Sequence, residues 1–323
     1  MKSLLKLAVV AFSALVTAGA AAQAFPNKPI TLVVPFAPGG GHDATARLLS
    51  IRLSEKMGQQ VLVVNKPGAN AMIGAQFVAQ SAPDGYTVLI GSPAETVIAH
   101  HIYKNMQYAP RADLAPVTLA ATTPIAFVAH PSVGVSTLPE LIALAKRSPG
   151  KLSYGSPGNG SVHHLVVEML KMQTKIDLLH VPYKGAGPAT NDVLAGQIPL
   201  ASVGMAPVTP HIAAGKLKAL NAFDEKRLPW DKSLPMAAEV PGLKDVIGAQ
   251  WMGIFVRAGT PAAIIERLNS EFAAVLKTPA MAESLLKIGV QAVGNSPREF
   301  LDFLDAEEKK YSAVVRLTGV TAN

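Results

Sequence analysis

Cysteine is absent from all 323 residues. That excludes disulfides, thiolate metal sites, cysteine nucleophiles and a lipid anchor carried on cysteine, so stability must come from an ordinary large core. Charge is sparse too, at 16% of residues, and the lysines and arginines are scattered. With no basic run and no stripe of basic and aromatic residues, nucleic acid is excluded as a partner. After the first two dozen residues no stretch offers the roughly 20 predominantly apolar residues that a bilayer crossing needs, so the mature chain is expected to be soluble.

What is present begins with an export pattern. Lys2 and Lys6 give a basic start, Leu7 to Val16 is uncharged and apolar, and Ala22-Gln23-Ala24 forms an A-x-A site before Phe25. This is the layout of a secretory signal peptide, with cleavage expected after about Ala24 and a periplasmic destination. About 300 residues then remain, comfortable for two lobes. Losing Lys2 and Lys6 lowers the formal charge from +7 to about +5, which suits attraction of small anions.

The periodicity predicts an α/β chain. Ile30 to Val34 reads as a buried strand, followed by a Pro/Gly loop and a helix from about Asp43 to Met57. Strands at 61–64 and 86–90, with a helix at 72–79 between them, complete a βαβαβ run. These strands are continuously apolar, so helices should cover both faces. A comparable run starts near Ala126, with a capping-box pattern at Thr137 to Glu140. Further strands are expected at 151–154, 178–181, 198–203 and 217–223, and helices at 161–172, 188–195 and 207–214. The tail predicts a strand at 251–256 and helices at 262–276 and 300–317. Thr260-Pro261 and Ser296-Pro297 are read as their start signals. Two α/β units with chain left over give a first lobe (25–124), a second (125–250) and a return to the first (251–323), crossing near Val117 and Trp251.

The chemistry concentrates in loops. Pro35 to Asp43 (PFAPGGGHD) follows the first strand and opens a helix. Glycines let the backbone come close to a ligand, and a helix start carries roughly half a positive charge, so an anion is stabilised there without Lys or Arg. Asp43 is a plausible N-cap that could also accept a hydrogen bond from a ligand. The same arrangement recurs at Gly155 to Ser161 (GSPGNGS). A third loop, Gly91 to Thr96, follows the third strand; in a sheet ordered 2-1-3 it lies beside the first loop at the switch point.

The segments PFAPGGGHDATARLL, NKPGANAMIGA, APDGYTVLIGS, ALAKRSPGKLSYGSPGNGS, HVPYKGAGPATNDVLAGQI and RAGTPAAIIERLN run in order from about residue 26 to the C-terminus. Together they resemble the Bug-type receptors, the extracytoplasmic solute-binding components of tripartite tricarboxylate transporters. The resemblance implies a two-lobed periplasmic-binding-protein clamshell, each lobe a doubly wound mixed sheet with helices on both faces. It implies a receptor that captures a small organic carboxylate and delivers it to the membrane components of such a transporter, as a monomer and without cofactor. In it the two glycine loops hold one carboxylate of the solute. By the same resemblance the first loop contributes Pro38, Gly39, Gly40, Gly41 and Asp43, and the second Ser156, Gly158, Asn159, Gly160 and Ser161. Ser92 matches the small hydroxyl residue after the third strand, His164 the histidine of the second-loop helix, and Tyr183 to Gly185 the loop after the next strand. His42 stands where threonine is common, Glu95 in a loop that is normally neutral, and Pro199 and Val203 where acids are frequent.

Several side chains carry two readings. Glu95 either receives an amine or ring N–H or is solvated, and His42 either donates to a carboxylate or lies on the loop rim. His163 and His164 are adjacent, so at most one can face a cleft. His164 with Glu168 has i,i+4 spacing, but two ligands do not make a zinc site, and no metal is expected. His100 and His101 are placed near the lobe surface. Trp251 is either a cleft-floor aromatic or core, and Tyr183 and Lys184 either reach a ligand or shape their loop. An enzyme is disfavoured: Gly39 to Ala44 fits G-x-G-x-x-A, but the second strand ends in Val64-Asn65 without the required acid, and neither G-x-S-x-G nor a Walker motif occurs. A ligand sensor for a membrane signalling protein remains the other reading, and no catalytic residue is assigned.

Overall fold

The computed structural model describes residues 25–321 apart from Lys226 and Pro229. The expected signal peptide, 1–24, lies outside the described residues. The first unit runs β1 (Ile30–Val34), α1 (Gly41–Met57), β2 (Val61–Asn65), α2 (Met72–Ala79) and β3 (Thr87–Gly91). β1 pairs in parallel with β2 on one side and β3 on the other, giving the expected 2-1-3 order. β1 is buried along almost its whole length because helices cover both faces. β2 departs from that expectation. It is the edge strand, and Leu62 and Val64 are 46% and 38% exposed.

After β3 the chain makes one turn of π-helix, Ala94–Ile98, which continues into a short helix, Ala99–Ile102. π-Helical turns occur disproportionately at functional sites. β4 (Leu114–Ala129) is 16 residues long and joins into one strand the crossing expected near Val117 and the strand expected from Ala126. Pro116 and Pro124 obscure it, since proline donates nothing to a ladder and reads as a strand breaker. The strand absorbs its irregularity in two register shifts, one at Pro116/Thr118 and one at Leu119/Ala121.

The second unit runs α3 (Leu138–Arg147), β5 (Ser153–Ser156), α4 (Val162–Thr174), β6 (Leu179–Pro182), α5 (Ala186–Leu194), β7 (Leu200–Gly204), α6 (Met205–Ala213) and β8 (Lys218–Ala222). β5 is parallel to both β6 and β7. Thr137 does cap α3 by accepting from the Glu140 N–H, but Glu140 accepts from the Ser136 N–H, so only half of the capping box forms. The chain returns through β9 (Ala249–Arg257), α7 (Ala262–Leu276), α8 (Pro279–Leu286), β10 (Gln291–Ala292) and α9 (Pro297–Thr318). Ser296 and Glu299 complete the box that starts α9. Thr260 does not cap α7: Pro261 occupies that position, and the Thr260 hydroxyl donates back to the Arg257 carbonyl.

All described strands join one path, β2-β1-β3-β9-β4-β7-β5-β6, with β8 and β10 attached to β4. β4 is the shared element. Its stretch from Leu114 to Pro124 pairs with β9, and Ile125 to Ala129 pairs with β7. The two halves are therefore joined by two antiparallel strands lying side by side, with Thr123 opposite Gln250. Trp251, next along β9, is core: it is buried against Phe300 and Phe303 and donates its indole N–H to Glu307 at 2.8 Å.

Candidate ligand-binding site

The carboxyl ends of β1, β3, β5 and β7 meet at one cavity of about 30 Å³ beside the β4/β9 crossover. Its wall includes Gly40, Gly41 and His42 after β1, Ser92 after β3, Pro157 and His163 after β5, and Gly204 at the end of β7. Ala186, the first residue of α5, closes another side, and Thr123, Gln250 and Met252 come from the crossover strands. Four helices thus begin at this cavity: α1 at Gly41, α4 at Val162, α5 at Ala186 and α6 at Met205. No Lys, Arg, Asp or Glu lines it. The positive potential there is that of helix N-termini, each worth roughly half an elementary charge with free N–H donors. At ~10–15 Å³ per water-sized group, the space holds two or three non-hydrogen groups, the size of a carboxylate. A second cavity of about 220 Å³ shares Phe36 and Pro157 with the first and is lined by Asn70, Gly158, Asn159 and Tyr183.

The first glycine loop is held from behind. Gly40, not Asp43, is the N-cap of α1, so the capping expectation fails. Asp43 instead accepts from the Gly39 N–H (3.1 Å), the Arg47 Nε–H (3.0 Å) and the Asn65 Nδ2–H (3.0 Å). Burial alone would raise its pKa, but these bonds outweigh burial and hold the carboxyl below its usual range. Across the cavity Pro38 and Gly39 touch the start of α5. A Cβ on Gly187 would lie 2.4 Å from the Pro38 carbonyl oxygen and 3.1 Å from the Gly39 carbonyl carbon.

The second loop is built on an aromatic column. His164 stacks on His180 at 3.8 Å, and His180 stacks on Tyr154 at 5.1 Å. His164 Nδ1 accepts from the Gly160 N–H at 3.1 Å, and Ser156 Oγ accepts from the Gly158 N–H at 3.2 Å while lying 2.7 Å from His180 Nε2. Burial, then the neighbouring His164, pushes His180 down to about 3, which keeps its ring neutral. Glu168 lies 3.6 Å from His164 Nε2 and also takes Lys171 and the Tyr154 hydroxyl, so it anchors the column rather than completing a metal set. Ser161 is the N-cap of α4 and accepts from the His164 N–H at 3.2 Å. Ser161→Ala should lower stability by about 1 kcal/mol in urea unfolding; no loss would mean that the cap contributes nothing here.

Of the adjacent histidines it is His163 that reaches the cavity, and His164 that supports the loop. His163 is 4% exposed, and neither ring nitrogen has a hydrogen-bond partner. Burial, then His42, pushes it down to about 3. His42 is pushed down to about 4 by burial against a bond to the Gly91 backbone, and lies 3.4 Å from Gln250 Nε2. Both imidazoles facing the cavity are therefore neutral at pH 7. Glu95 lines neither cavity. It is fully buried and accepts from the N–H and the hydroxyl of Ser92, fixing that residue, while its own carbonyl accepts from the Tyr108 hydroxyl at 2.6 Å. Burial, opposed by the Ser92 bonds, raises its carboxyl to about 7. Tyr183 donates to Asp192 at 2.6 Å, and the Lys184 carbonyl accepts from the Ala37 N–H at 2.9 Å, so that loop is tied to the first glycine loop.

Thr123, Ala186, Gly204, Gln250 and Met252 also line the cavity and are not expected from the sequence, while of the two histidines weighed it is His163 that does so. Gly185 to Gly187 and Gly204 repeat the strand–glycine–helix signal of the two loops that were found. Thr123, Gln250 and Met252 carry no local signal, because only the pairing of β4 with β9 brings them together.

Comparison with known proteins agrees with this geometry. The family model described as tripartite tricarboxylate transporter family receptor matches residues 45–320. The chain is similar to the solved structure of Rpa4515 of R. palustris with adipate, at 33% identity, covering 92% of this chain and 99% of that one with a TM-score of 0.88. It is likewise similar to the periplasmic binding protein BugD, at 30% identity over 93% of this chain and 100% of that one, TM-score 0.88. MatC of Rhodopseudomonas palustris with bound malate shares 28% identity over 90% of this chain and 100% of that one, TM-score 0.85.

Proposed function

This chain belongs to the tripartite tricarboxylate transporter receptor family, and we propose that it captures a small organic carboxylate in the cavity where its four helices begin. It is a solute-binding receptor rather than an enzyme. The convergence of four helix N-termini on a space without a charged side chain carries the reading: such a space favours an anion and gives it N–H donors, while lacking a fixed cation that would trap it. Gly40 and Gly41 from one half and the starts of α5 and α6 from the other hold one carboxylate, while Gly158 and Asn159 of the second glycine loop face the adjoining cavity. Ser92 adds a hydroxyl whose position Glu95 fixes. His42, His163 and Gln250, all neutral, line the same space, so hydroxyl, carbonyl or uncharged carboxylic acid groups suit the position next to the bound carboxylate better than a second full charge. Adipate and malate in two structural relatives favour a small organic carboxylate as the solute.

A space of this size holds little more than a carboxylate, so a larger solute requires the halves to part, and β4 and β9 are the strands about which they would move. The export pattern at the N-terminus favours a periplasmic receptor, with the membrane components of a tripartite transporter as its partner. The test is a panel of mono- and dicarboxylates against the mature protein. At a hundredfold excess over Kd the folded state gains about 2.7 kcal/mol, seen as a saturable rise in melting temperature. A panel including malate, adipate and aromatic acids that leaves the melting temperature unmoved would overturn the assignment.

A further inference from the structure

We propose that His100, His101 and Glu308 bind a divalent d-block cation, Zn²⁺ foremost, at a site separate from the solute cavity. The two histidines sit in the short helix Ala99–Ile102, and Glu308 projects from α9, 208 residues beyond His100. His100 Nε2 lies 2.6 Å and His101 Nε2 2.7 Å from the same oxygen, Glu308 Oε1. One ligand atom from each residue falls within 4.8 Å of the other two. The contacts are not all hydrogen bonds. His101 Nε2, despite its 2.7 Å approach, has no aligned hydrogen-bond partner, and Glu308 Oε2 has none either. Three donors crowded on one point with their hydrogen bonding incomplete is the arrangement expected of groups that share an ion.

The donor set selects the ion. Two imidazoles and one carboxylate suit Zn²⁺, with Cu²⁺ and Ni²⁺ as competitors, and leave a fourth position for water. Ca²⁺ and Mg²⁺ call for oxygen ligands and fit poorly. Zn–N bonds of about 2.0–2.1 Å place tetrahedral ligand atoms ~3.3 Å apart, so each imidazole nitrogen needs to draw back from Glu308 Oε1 by less than ~1 Å. The side chains are 31%, 23% and 27% exposed, open enough to admit a hydrated ion. The nearest acid one turn earlier on α9, Asp305, is paired with Arg111 and leaves Glu308 to the histidines. An ion here ties the segment that carries Ser92 and Glu95 to the C-terminal helix.

Untagged mature protein, stripped with a chelator, is titrated with ZnCl₂ by calorimetry and with Co²⁺ by visible absorption. The expected result is one saturable ion per chain, a rise in melting temperature with Zn²⁺, and at least a tenfold loss of affinity in both His101→Ala and Glu308→Gln. Glu308→Gln keeps the side chain's shape, and the melting temperature of each variant without metal shows that it is folded. No saturable binding by the parent protein overturns the proposal. So does equal affinity in folded variants, which would place the ion elsewhere. Neither outcome bears on carboxylate binding at the solute cavity.

Discussion

Gly187→Ala should cut solute affinity by between fivefold and 150-fold while leaving the folded state largely intact. The added methyl would lie 2.4 Å from the Pro38 carbonyl oxygen, backbone against side chain, with no flexible group to give way. Carbon and oxygen settle about 1 Å further apart than that, so the first glycine loop and the start of α5 cannot meet as they do here. Overpacking of this kind costs about 1–3 kcal/mol, the affinity range just given. The cost falls on the closed arrangement of the halves, since separating them relieves it. Calorimetry with the best solute of the panel measures it, and urea unfolding without solute supplies the control. Gly158→Val is the companion from the other half, with its Cβ 2.6 Å from Asn70 Oδ1. Unchanged affinity in Gly187→Ala would mean that solute binding does not require these two loops to touch.

Stability should peak near pH 6.5 and fall on both sides, and Glu95→Gln should remove the alkaline fall alone. His42 and His163, held at about 4 and about 3, are neutral when folded but protonate near 6.5 when unfolded. Their contribution is complete above pH 6.5 and is lost as pH falls toward 4 and 3. His180 acts in the same direction. Glu95 has the opposite sign: raised from 4.5 to about 7, it favours the folded state most below pH 4.5, and that advantage disappears as pH rises through 7. Between pH 4.5 and 6.5 the unfolded chain binds one or two more protons net, a slope of about 1.4–2.7 kcal/mol per pH unit. Above pH 7 the ionised, fully buried Glu95 makes Glu95→Gln more stable than the parent by up to about 3 kcal/mol, a difference that vanishes near pH 4.5. Chemical unfolding of both proteins from pH 4 to 9 decides it. A variant less stable than the parent at pH 8 would show that the Ser92 bonds hold Glu95 ionised.

Features that depend on neighbours along the chain are legible without the fold. Short, continuously apolar, β-branched runs marked most strands and period-3.6 patterns most helices, because a strand buried on both faces and a helix buried on one differ in which positions meet the core. Glycines between a strand and a helix marked both candidate loops, since such junctions allow close approach and leave free N–H groups. The Ser296 box was legible because its partners are three residues apart. Where packing decides, the sequence was silent. That His163 rather than His164 faces the cavity depends on how α4 rotates against β6, where His180 takes His164 by stacking. Glu95 was weighed as a ligand or a solvated acid and is neither in the fold: the π-helical turn aims it back at Ser92, and helix phase alone did not reveal that turn. The continuity of β4 is not legible through its prolines, because only the partner strand β9 supplies the ladder that carries the chain through Pro116 and Pro124. The meeting of His100, His101 and Glu308 belongs wholly to the tertiary structure, since long-range contacts follow from the docking of α9 and leave no local spacing to read.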